Sequence, residues 1–237
     1  MSITRPASPR SEVGLLLLAG IATVIFWHLP FGNFFLYPFT ILATWFHEMG
    51  HGLGALLLGG NFEQLAIYSN GAGIAVHSGR LYFGPFGRAF VSAAGPLGPA
   101  FAGSLLIFSS QSKHFTRSAL FLLGSAILLS TLVWVRSVFG LLILPLIGAG
   151  ILYIAIKSSN RLQAFAVQFL GVQACISTYK QIDYLYTKSV IINGREMLSD
   201  SGQIAQALLL PYWFWGSLMA ILSLALLVSS LWWTHRY

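Results

Sequence analysis

His47-Glu48-Met49-Gly50-His51 carries two imidazoles and a carboxylate at a spacing that can do chemistry. On a helix, positions i and i+4 share one face, so His47 and His51 project together. Two imidazoles so placed can both bind one Zn²⁺. Glu48 can then reach a water on that metal and take its proton. The alternative is a set of scattered polar residues on a packed helix. With only six His in the chain, a chance match to the pattern is on the order of one in several hundred. The motif also lies inside an apolar run, Phe34 to Leu58, where an ionisable residue is expensive and defaults to a functional reading.

The elements that must position this cassette are membrane helices. Of 237 residues, 56% are hydrophobic and only 8% are charged, against roughly 25% charged in a soluble domain. Seven apolar runs are visible: Val13–Leu29, Phe34–Leu58, Arg88–Ser110, Phe115–Val135, Ser137–Ile156, Leu162–Tyr186 and Ile204–Trp233. The fold class is therefore an all-α membrane protein, a polytopic helical bundle of about six or seven transmembrane helices. Residues 1–12 read as a disordered tail, and 13–237 as a single integral membrane domain. The first run reads as a retained span, since no small-x-small cleavage site follows it.

After the motif helix, Phe62–Tyr68 alternates weakly, Ser69-Asn70-Gly71 signals a turn, and Gly73–His77 can form a second strand. This reads as a small β-hairpin, with a plain loop as the alternative. Its edge could hold an extended peptide by strand addition. His77 reads as a loop residue.

The net charge of +7 comes from Lys and Arg dispersed at the ends of apolar runs, where they anchor the chain against lipid head groups. No basic patch is interleaved with aromatics, so a nucleic-acid partner is not expected. With the N-terminus cytoplasmic, eight of the 13 Lys and Arg fall on the cytoplasmic side, which favours that orientation.

The cassette lacks its third ligand. The single Cys, Cys175, excludes a Cys-rich site. A hydrolytic zinc wants three protein ligands and an open position. Asp183 lies near the end of a span, where Lys180 three residues earlier could pair with it. Asp200, in Ser199-Asp200-Ser201-Gly202, could cap the last helix or bind metal. Glu63, at the start of a loop strand, is weaker. Spacing alone does not choose between Asp183 and Asp200.

Three pieces together resemble a known family: His47-Glu48-Met49-Gly50-His51 followed by Gly59-Gly60, Ala94-Gly95-Pro96-Leu97, and Ser199-Asp200-Ser201-Gly202 leading into a helix. The chain is similar to the site-2 protease family of intramembrane zinc metalloproteases, closest to its small bacterial-type branch. That resemblance implies peptide-bond hydrolysis within or near the membrane, with His47, His51 and Asp200 on Zn²⁺ and Glu48 as base. It implies a transmembrane protein substrate, a multi-pass location in a bacterial-type cell membrane, and an active enzyme. A catalytically silent relative, binding a partner or metal without cleaving, is the other reading. The chain departs from the family pattern in two places: Gly98-Pro99 stand where an Asn is usual, and an Asn-x-x-Pro before the late Asp is missing.

Overall fold

The computed structural model describes residues 9–192 and 195–236. The expected disordered tail therefore lies outside the described residues as far as residue 8, and Pro9 already opens a helix. In chain order the elements are α1 (Pro9–Trp27), α2 (Gly32–Leu57), β1 (Asn61–Ile67), β2 (Gly73–Ser78), α3 (Pro85–Ser109), α4 (Lys113–Val133) and α5 (Val138–Lys157). There follow α6 (Asn160–Lys180), α7 (Ile182–Leu185), β3 (Ser189–Ile192), β4 (Arg195–Leu198), α8 (Asp200–Ala207) and α9 (Tyr212–Arg236).

Helices α3, α4, α5 and α9 are each long and apolar enough to cross a bilayer. Helices α1 and α2 pass that test as a pair, bent by 110° at the break between them. Among the described residues that gives four candidate spans, or five with the bent pair, where the apolar runs suggest six or seven. The difference lies in this elbow and in α6, whose polar residues take it below the test. The glutamines among them are inside the bundle, and each has a partner. Gln173 Nε2 donates to Thr23 Oγ1 on α1 at 2.6 Å, Gln168 Nε2 to Ser110 Oγ at 2.9 Å, and Gln163 Nε2 to the Ala155 carbonyl on α5 at 2.9 Å. A polar residue in a membrane bundle is tolerated when its bonds are made within the protein. By contrast α5 is apolar all round and turns Val138, Leu142 and Leu146 outward, as a lipid-facing helix does.

The hairpin after α2 forms as expected: β1 and β2 pair antiparallel, with Leu65 opposite Ala75 and a register shift between Phe62 and Gln64. It runs back along α2 rather than away from it. Tyr37 Oη donates to the Ser69 carbonyl at 2.6 Å and Thr44 Oγ1 to the Gly71 carbonyl at 2.7 Å. Thr44 is about 20 Å from the C-terminal end of α2 at 1.5 Å per residue, so the hairpin tip lies deep beside that helix and its backbone must be packed in protein. The packing is supplied by Leu65 and Ile67, both fully buried, and by Phe62, stacked on Trp134 at 4.8 Å. The Leu65 N–H donates to the Trp134 carbonyl at 2.8 Å and the Arg136 N–H to the Leu65 carbonyl at 2.9 Å. The α4–α5 connection thus covers the outer edge of β1.

A second hairpin, β3–β4, pairs Ser189 with Leu198 through Ile192 with Arg195. It was not expected. Asn193-Gly194, between its strands in the sequence, is the strongest short hairpin signal and could have found it.

Candidate metal centre

Two elements bring the chemistry together: α2, which carries the cassette, and α8, which brings Asp200 back to it. The ends of α8 explain how. Ser199 is its N-cap, its Oγ accepting the Gly202 N–H at 3.1 Å. The same hydroxyl donates to the Thr187 carbonyl, which ties the cap to the segment before β3. Asp200 is therefore not the cap but the first helical residue, and its carboxylate is free for other partners. Ser92 Oγ on α3 donates to Gln203 Oε1 at 3.3 Å and docks α8 beside the cassette. Ser199→Ala is expected to cost about 1 kcal/mol of local stability, the usual loss for an N-cap. Faster amide hydrogen exchange at Gly202 would register it.

His47 Nε2 lies 3.1 Å from Asp200 Oδ2, His51 Nε2 lies 3.3 Å from Asp200 Oδ1, and the two Nε2 atoms are 3.1 Å apart. Asp200 is 2% exposed and Glu48 7%. His51 Nδ1 is 2.8 Å from the Val91 carbonyl. A carbonyl only accepts, so this bond puts a proton on Nδ1 and turns Nε2 inward, toward His47 and Asp200. Asp200 Oδ2 has no hydrogen-bond donor among the described residues despite its closeness to His47.

Two ring nitrogens and a carboxylate thus converge within 3.3 Å of one another, an arrangement suited to a cation. The spacing fits as well: donors about 2.0–2.1 Å from one tetrahedral Zn²⁺ lie about 3.3 Å from each other. Two imidazoles and one carboxylate also make the donor set of an open hydrolytic zinc site. The residues present therefore fit the metal. His51, bonded through its far nitrogen to a backbone carbonyl, has the outer partner typical of a metal-bound imidazole.

Helix α3 comes against α2 with almost nothing between them. A Cβ on Gly50 would run into the Ala94 carbonyl oxygen, and one on Gly95 would fall on the His51 ring. The Ala94-Gly95-Pro96 segment thus gives His51 its room. On the other side, a Cβ on Gly73 at the start of β2 would sit 2.6 Å from Glu48 Cγ, so β2 lies directly over the carboxylate. The Ala75 backbone is within hydrogen-bonding reach of Glu48. This follows from the ladder. Leu65 spends its N–H and carbonyl on the far side of β1, so the Leu65–Ala75 pair is a non-hydrogen-bonded one and Ala75 points its own groups outward.

The other candidates lie elsewhere. Asp183, the alternative third ligand, is exposed on α7 and outside the group formed by His47, His51 and Asp200. Its expected partner, Lys180, instead donates to Thr40 Oγ1 on α2 at 2.8 Å. The i to i+3 pairing fails because α6 ends at Lys180 and the chain turns at Gln181. Glu63 is exposed at the irregularity in β1. His77 sits half-buried on β2 opposite Phe62. It lines a cleft of about 940 Å³ with Arg80, Tyr82 and Arg88 rather than joining the metal group. Burial lowers its pKa from the ordinary imidazole value. Two features of the centre had no sequence signal: the Val91 carbonyl that orients His51, and Tyr184, whose hydroxyl accepts the Asp200 N–H at 3.3 Å.

A family profile described as Peptidase M50B-like matches residues 16–230, most of the chain. No curated protein and no solved structure matches it. M50 peptidases are in general zinc metalloproteases, and family membership together with the four apolar helices makes this an integral membrane protein. The match runs through the cassette on α2, the α3 segment that gives His51 room and Asp200 on α8: the chain belongs to the Peptidase M50B-like family, which is the site-2 protease family.

Proposed function

We propose that this protein is a zinc-dependent intramembrane endopeptidase that cleaves a membrane-embedded or juxtamembrane segment of a transmembrane protein. The observation that carries the reading is the convergence of His47, His51 and Asp200 beside a buried Glu48. When bound, zinc supplies Lewis acidity at the peptide carbonyl and a lowered pKa for the attacking water. His47, His51 and Asp200 would hold it. Glu48 takes the proton released as water oxygen bonds to the carbonyl carbon. It returns that proton to the amine nitrogen as the C–N bond breaks.

A helical substrate hides its carbonyl carbons in hydrogen bonds, so it must be extended before cleavage. The outer edge of β2 supports this step. With β1 covered by the α4–α5 connection, β2 is the strand whose far side faces Glu48 through Ala75. A peptide added there would be held by main-chain bonds, which suit many sequences. In this reading the protein is a single membrane domain from residue 13 onward with six or seven spans. Helix α6 and both arms of the α1–α2 elbow then count as spans, with the N-terminus cytoplasmic in a bacterial-type cell membrane.

The test is cleavage of a co-reconstituted transmembrane substrate, with zinc content measured alongside. Glu48→Gln keeps the shape and the hydrogen-bonding reach but loses the base. It is expected to retain zinc and to lose about 10²–10⁴-fold in rate. A wild-type protein without zinc, or a Glu48→Gln protein that cleaves at the wild-type rate, would end the protease reading.

A further inference from the structure

We infer that Tyr184 is the positioning residue for Asp200, fixing it as the third ligand of the metal centre. The inference rests on the zinc reading above and extends it to a residue outside the cassette. The first N–H groups of a helix have no partner within it. In α8 the Gly202 N–H goes to Ser199 Oγ, and the Asp200 N–H goes to Tyr184 Oη at 3.3 Å. Tyr184 therefore holds Asp200 by its backbone, at the residue whose carboxylate meets both imidazoles.

No other neutral side chain hydrogen-bonds Asp200 among the described residues. Ser201 is bonded to Ser199, and Gln203 to Ser92 and the Leu198 carbonyl. The grip is itself held from outside. Tyr184 lies on the short α7, which packs on α9. Leu185 is buried, with its carbonyl against Gly216, and Tyr186 Oη bonds Ser217 Oγ at 2.8 Å. The Tyr184 ring stands edge-on to His47, centroids 6.2 Å apart at 69°. One side chain thus touches two of the three ligands and links both to α9. In this role Tyr184 serves Asp200 as the Val91 carbonyl serves His51. Outer partners of this kind hold a ligand in one orientation and tune its basicity.

Tyr184→Phe removes a single oxygen and keeps the ring against His47. In the purified full-length protein it is expected to weaken zinc, measured by chelator competition, by about 10–100-fold. The visible spectrum of the cobalt-loaded protein should shift as Asp200 changes its orientation. Tyr153→Phe, on the outward face of α5 and 67% exposed, should leave both unchanged. Because Tyr184 acts through Asp200, Tyr184→Phe made on top of Asp200→Ala should weaken zinc no further. Wild-type zinc affinity and an unchanged cobalt spectrum in Tyr184→Phe would overturn the inference while the zinc reading stands. So would a full additive loss in the double variant. A wild-type protein that takes up no zinc would remove the zinc reading itself.

Discussion

Asp200→Ala is expected to strip zinc from the protein, while Asp183→Ala leaves it in place. The two residues are the only aspartates in the chain. The fold separates them. Asp200 is buried against both imidazoles at 3.1 and 3.3 Å, whereas Asp183 is exposed on α7. Losing an outer-shell partner typically costs 10–100-fold in metal affinity. Losing a ligand should cost more, so at least ~100-fold is expected for Asp200→Ala and less than about 2-fold for Asp183→Ala. Zinc content after dialysis against a weak chelator separates the two. The stabilisation that zinc gives the wild type should also be absent from Asp200→Ala. Equal zinc content in the wild type and Asp200→Ala would refute the assignment of the third ligand.

The parts of this site that could be read from sequence are those set by local periodicity. His47 and His51 share a helix face because helices repeat every 3.6 residues, and nothing distant can change that. The first hairpin was readable for a similar reason, from alternation interrupted by Ser69-Asn70-Gly71. The third ligand was a different problem. Asp200 reaches His51 across about 150 residues of chain, through the Ser199 cap, the β3–β4 hairpin and the Ser92–Gln203 contact. No spacing rule encodes that path. Resemblance to the site-2 proteases pointed to Asp200, while the residues alone left Asp183 equally open. Lys180 shows the converse error. Its i to i+3 relation to Asp183 holds only within one helix, and the chain leaves α6 between them. Helix α6 itself was legible as a polar span but not as an interior one. Its glutamines become explicable only once their partners on α1 and α5 and at the end of α3 are seen.

Gly95→Ala is expected to damage the metal centre nearly as severely as removing a ligand, although Gly95 has no functional group. Helix α3 holds His51 in two ways one turn apart. The Val91 carbonyl accepts its Nδ1–H at 2.8 Å, and Gly95 leaves the space its ring occupies. A methyl at Gly95 would overlap the ring. Its nearest neighbours there are the Nε2 and Cε1 atoms, with Cδ2 at 2.8 Å. The ring cannot simply step aside, because the same movement would break the Val91 bond and withdraw Nε2 from Asp200. Nor can the helices part easily, since Gly50 already lies against the Ala94 carbonyl. Overpacking of this kind costs about 1–3 kcal/mol, and here the strain falls on a ligand. Zinc affinity should drop by at least ~10-fold, with helical content unchanged by circular dichroism. Gly150→Ala is the matched control. It lies on α5 with nothing within 4 Å of its Cβ position. That change should leave zinc untouched and, by helix propensity, stabilise the helix by up to about 1 kcal/mol. If Gly95→Ala holds zinc as tightly as Gly150→Ala, the contact between α2 and α3 is looser than the structure has it, and the Ala94-Gly95-Pro96 segment has some role other than making room for His51.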